Sequence, residues 1–134
     1  MKPVFFIGTL LFACFVNAQT GREGLIDSLE TLLKQNILDT TRINTLSELA
    51  RQYGGVDSLK CFKNGFEALR LSKEIGYLKG MAKSNIDLAG GYLDYSDIKN
   101  AKKYFIKGNE FANRLIKKDS TPDNMKIWLR GHYN

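Results

Sequence analysis

Side chains able to do chemistry are few in this chain. His132 is its sole histidine. A zinc site needs several nitrogen, sulfur or oxygen donors at short characteristic spacings, and no cysteine, aspartate or glutamate stands at such a spacing from His132. A serine or cysteine nucleophile needs a base beside it, and this one histidine would have to serve. Ala89-Gly90-Gly91 is rich in glycine, but it lies inside a helical pattern and lacks the lysine and serine that complete a phosphate-cradling loop. The residues therefore predict no catalytic, cofactor or metal site, and a surface place for His132. Cys61 stands where a small apolar residue is wanted and reads as packing, since a buried free thiol behaves as a small hydrophobe.

The elements around these residues are helical. Leu25, Leu29, Leu32, Leu33 and Asn36 follow one another as one face of a helix. Ile43, Leu46, Leu49, Ala50 and Tyr53 repeat the 3.6-residue period, with Asp39-Thr40-Thr41 offering oxygens to cap that segment. Gly54-Gly55 breaks it and Asp57 can cap the next, Ser58 to Ile75. Gly76 suits the left-handed position beyond a helix end. A helix from about Lys79 to Asp94, a turn at Ser96-Asp97 and a helix from Ile98 to about Lys117 follow. Pro122 then opens another pattern, in which Leu129 and Tyr133 stand four apart as Leu49 and Tyr53 do. No stretch alternates with period two, so no strand is expected.

Residues 1–18 read as an export signal: Lys2, an apolar run from Val4 to Val16, and small residues at Val16-Asn17-Ala18, with the cut before Gln19. That run is too short to span a bilayer, and no other segment is long and apolar enough. The chain carries a formal charge of +6, to which Lys2 contributes. Leu11-Phe12-Ala13-Cys14 supports a rival reading, a lipoprotein signal anchored at Cys14. After the leader come a disordered linker at 19–24, an N-terminal helix at 25–38, repeats at 42–75 and 79–118, and the start of an incomplete third at 122–134.

The repeats rest on a pattern that occurs twice. Leu49, Ala50 and Tyr53 form L-A-x-x-Y, and Leu88, Ala89 and Tyr92 repeat it 39 residues later. Self-similarity at such a period marks stacked helical hairpins. The pattern resembles the tetratricopeptide-repeat family, whose second helix carries an alanine, an aromatic and a further small residue. Ala101, Phe105 and Gly108 match these positions in the second copy, and Cys61 and Ala68 in the first. The first copy departs at Gly65, where an aromatic is usual. Its turn is one residue shorter, the closing proline is missing from both copies, and the period of 39–40 exceeds the usual 34. The opening D-S-L-E-T-L-L and the Ile75-Gly76 to Gly80 link resemble the N-terminal repeats of exported bacterial sensor histidine kinases and regulators.

The resemblance implies an all-α, right-handed solenoid of antiparallel hairpins. The first helix of each hairpin would line a concave groove for a protein or peptide. By position its wall would hold Asn44, Ser47, Glu48, Arg51, Lys83, Ile86, Asp87 and Gly90. Tyr77, Tyr95 and Trp128 are open to either contact or packing. The cations of the last full helix read as a solvated face or as contact with an anionic partner; the export signal and the lack of interleaved surface aromatics argue against nucleic acid. The expected role is a protein-interaction module of the cell envelope, the sensing or assembly part of a bacterial signalling protein, with no catalysis of its own. Two alternatives stay open: the front of a histidine kinase whose catalytic part follows Asn134, and a surface lipoprotein. The unfinished repeat also offers an end for self-association.

Overall fold

The computed structural model describes residues 21–132. Among these residues the chain is entirely helical, with no strand. The helices are α1 (21–33), α2 (Asp39–Tyr53), α3 (Ser58–Glu74), α4 (Leu78–Asp94), α5 (Ile98–Lys118) and α6 (Pro122–His132). Residues 1–18, read as an export signal, with the alternative anchor Cys14, residues 19–20, Tyr133 and Asn134 lie outside the described residues.

The turn chemistry explains where the helices start. Asp57 and Asp97 each accept a 3.0 Å hydrogen bond from a backbone N–H three residues on, at Lys60 and Asn100. The bond from Asn100 holds the Asp97 carboxyl below its ordinary pKa. Gly76 takes φ +66°, the conformation glycine favours. Two helices differ from the sequence reading by more than one residue. Helix α1 begins at 21, inside the stretch read as disordered, and ends at 33; Ile26, Leu29 and Leu33 on it pack against Leu49, Tyr53 and Cys61. Helix α2 begins at Asp39 itself and has no side-chain cap, so the Asp39-Thr40-Thr41 oxygens do not play the expected part.

Consecutive helices pack against each other from α2 to α6. In addition α2 lies against α4, and α4 against α6, whereas α3 and α5 approach no closer than 8 Å between Cα atoms. The even-numbered helices thus form one face, and α3 and α5 stand behind it. One core cluster joins Ile43, Leu46 and Ala68, with Tyr77 against it. Another joins Ala82, Ile86, Ala112, Leu115 and Ile127, with Phe105 and Trp128 packed on it.

The two copies of the pattern are buried alike at their leucine and small-residue positions, while Tyr53 is buried and Tyr92 half-buried. Leu49, Ala50, Leu88, Ala89, Cys61, Ala68, Ala101 and Gly108 are all buried. Gly65 explains the missing aromatic: a Cβ there would meet Leu88 Cδ2 at 2.7 Å, so α3 comes too close to α4 for any larger residue. Each tyrosine of the pattern fills the space between the preceding outer helix and its own partner. Tyr53 packs between α1 and Cys61. The Tyr92 ring lies 4.5 Å from Phe62 of α3 and 5.4 Å from Tyr104 of α5. In α6 the match differs: Leu129 is 41% exposed, while Ile127 and Gly131 face the core. At Gly131 α6 runs close to the Asn109 side chain of α5, which would have to move to admit a Cβ there.

Candidate functional site

The face formed by α2, α4 and α6 carries a row of polar side chains. Helical spacing places Asn44, Ser47, Glu48 and Arg51 on α2 opposite Lys83, Ile86, Asp87 and Gly90 on α4. At one end Lys83 Nζ lies 3.8 Å from Glu48 Oε2 and 3.5 Å from the Asn44 carbonyl oxygen. The Asn44 amide donates to the Tyr77 hydroxyl at 3.3 Å. Glu48 also receives hydrogen bonds from Arg51 and from Gln52, the latter at 2.7 Å. Burial works to raise the Glu48 pKa, but the donors from Arg51 and Gln52 and the charge of Lys83 outweigh it and hold the carboxyl below its ordinary value.

At the other end Ser47 donates a 2.6 Å hydrogen bond to Asp87, whose side chain is fully buried. Arg130 of α6 pairs with the second oxygen of that carboxylate. Beside this pair opens a cleft of about 210 Å³. Arg51, Gly54, Gly90, Asp94, Phe105 and Arg130 contribute to its lining.

The eight residues expected in a groove therefore divide. Arg51, Glu48, Lys83, Asn44 and Gly90 reach solvent in whole or part. Ser47, Ile86 and Asp87 are buried, although Ile86 and Asp87 form part of the cleft wall. Ile86 belongs to the core cluster under α6, and Ser47 and Asp87 hold α2 to α4 from inside. Arg130, Asp94 and Phe105 complete the cleft and were not expected there. The only hint of Arg130 in the sequence is its place in the third, partial pattern.

Of the residues left open to contact or packing, Tyr77 and Trp128 pack on the core and Tyr95 stays exposed. Trp128 donates from Nε1 to Asn113 Oδ1 at 2.7 Å and stacks on His132 at 4.2 Å. His132 is exposed, and its Nδ1 lies 2.8 Å from the Trp128 carbonyl oxygen. Tyr95 is partly exposed at the edge of an aromatic cluster with Phe62, Phe66, Tyr92 and Tyr104. Burial, reinforced by Asp94, Asp87 and Asp57, raises the Cys61 thiol to about 11. Among the described residues no group of three or more His, Cys, Asp or Glu side chains is placed to hold a metal ion. Nor is any of their helices long and apolar enough to cross a membrane. Comparison with protein-family models, with curated proteins and with solved structures finds no match.

Proposed function

We propose that this chain is a protein-interaction module of stacked helical hairpins, built on the tetratricopeptide-repeat plan, which binds a peptide segment along the face of α2, α4 and α6. The single observation that carries the reading is the mixed-charge cleft beside Gly90, where Arg51, Asp94 and Arg130 surround open space. A Cβ placed on Gly90 would meet nothing within 4 Å, so this helix face is unfilled. Close approach of α2 to α4 and of α4 to α6, with α3 and α5 apart, supports a curved array whose inner side is this face. A preformed groove with polar groups of both signs suits an extended or helical segment. Its action is binding, and the chain makes and breaks no covalent bond.

Within that reading the chain is the sensing or assembly part of an exported bacterial signalling protein. Support for it comes from the leader and from the opening and link residues that resemble such sensors. Peptides selected from a random library on the immobilised chain, followed by NMR shift mapping, test the binding reading. Shifts clustered at Arg51, Lys83, Gly90 and Asp94, and loss of binding in R51E, are expected. Selection of no binders, or shifts confined to α3 and α5, would overturn it.

A further inference from the structure

Helix α5 holds a charge distribution that the proposed groove does not use. Lys99, Lys102, Lys103, Lys107, Arg114, Lys117 and Lys118 share this helix with a single acidic residue, Glu110, which falls among them. The net of +6 equals the formal charge of the whole chain, so the remaining residues balance to zero. At 100° per residue all seven cations fall on one side of the helix, and all are exposed. The opposite side, with Ala101, Gly108, Ala112 and Leu115, is buried in the core.

Among the described residues none of the seven forms an ion pair. Arg70 on neighbouring α3 shows the contrast, bridging Glu67 and Glu74 at once. Lys99 with Lys103, Lys103 with Lys107 and Arg114 with Lys118 stand four apart, a spacing at which like charges repel. Two of the seven have a favourable contact on the fold, Lys103 over the Tyr104 ring at 5.5 Å and Arg114 over the Phe111 ring at 5.6 Å. Ile106 sits within the cationic side, 50% exposed, and Ile98 at the helix start is 63% exposed.

We propose that the outer side of α5 docks on an anionic lipid bilayer surface. The face is a ridge about 30 Å long, and a ridge meets a plane of headgroups better than it meets a peptide. Six of the seven cations are lysines, compact point charges without the planar fork that reads bases or fixed phosphates bidentately. The two aromatics beneath them offer no free platform for bases: Tyr104 is stacked on Tyr92 with Lys103 over its ring, and Phe111 packs on the core with Arg114 over its ring. A polybasic row with an exposed isoleucine is suited to the negative surface potential of such a membrane, with Ile106 entering the headgroup layer.

Co-sedimentation of the full chain with vesicles of phosphatidylcholine, with and without phosphatidylserine, tests this. Residues 1–18 are common to every variant and cannot account for differences between them. Binding to the phosphatidylserine vesicles that weakens with salt is expected. K103Q/K107Q should lower the partition coefficient about 25-fold, from roughly five-fold per lysine near an anionic surface. K63Q/K73Q on α3 removes the same charge and should lower it less than about five-fold. Circular dichroism should be unchanged in both variants. Equal binding to phosphatidylcholine alone, equal loss in the two double variants, or no binding would overturn the proposal. So would tighter retention by a single-stranded oligonucleotide or by polyglutamate than by the vesicles.

Discussion

Ser47 and Asp87, 40 residues apart in sequence, share a 2.6 Å hydrogen bond in the interior, between α2 and α4. One of the two is a carboxylate with no exposure of its side chain, and Arg130 neutralises its other oxygen. Removing one member of such a group strands the others, which costs more than the bond itself contributes. D87A should lower stability by about 2–4 kcal/mol. S47A should cost about 1 kcal/mol, and the double variant less than the sum. Urea unfolding of the set measures this; strict additivity would mean that the two side chains do not communicate.

Gly90 and Gly91 are adjacent yet should respond oppositely to alanine. A Cβ on Gly90 meets open space, and one on Gly91 would meet Cys61 Sγ at 2.7 Å. G90A should raise stability by about 0.5–1 kcal/mol through helix propensity. G91A should lower it by about 1–3 kcal/mol by overpacking α4 against α3. Thermal unfolding of the two variants side by side gives the answer.

Stability should fall on acidification with a contribution from Glu48. Its pKa is depressed in the folded state, so the stabilisation is present above its ordinary value of 4.5 and is lost as pH falls through the folded value. The hydrogen bond from Tyr53 similarly depresses Glu30, with Lys60 assisting. Urea midpoints at pH 7 and pH 3 should differ less in E48Q than in the parent chain.

The Cys61 thiol should resist modification at neutral pH. It is buried, and its pKa is pushed up to about 11, so little thiolate exists to react. In a chain carrying C14S, a thiol-exchange reagent should label Cys61 at a rate set by opening of the fold, and denaturant should accelerate it sharply. Labelling as fast as a free thiol would contradict the packing at Gly91.

The sequence made the packing positions legible because they are local in type and spacing. Ala50, Ala89, Ala101 and Gly108 are small where helices must touch, and Leu49 and Leu88 are large where the core must fill. Caps at Asp57 and Asp97 were visible for the same reason. The groove was less legible. A helical wheel places Ser47, Ile86 and Asp87 beside Arg51 and Gly90, but the close approach of α2 to α4 buries Ser47 against Asp87, and α6 covers Ile86 and Asp87. That covering depends on how α6 packs on α4 and α5, and no spacing within one helix reveals the packing between two. Phe62, Phe66 and Tyr104 were missed likewise: they lie on different helices and meet only after stacking.

Arg130 stands two residues from the end of the last described helix, yet its partner lies deep at the centre of the molecule. Fraying of α6 would leave an unneutralised anion facing Ser47. Helix α6 thus acts as a latch on α4, and its opening is penalised far from where it begins. Amide hydrogens around Asp87 should therefore exchange in step with those of α6.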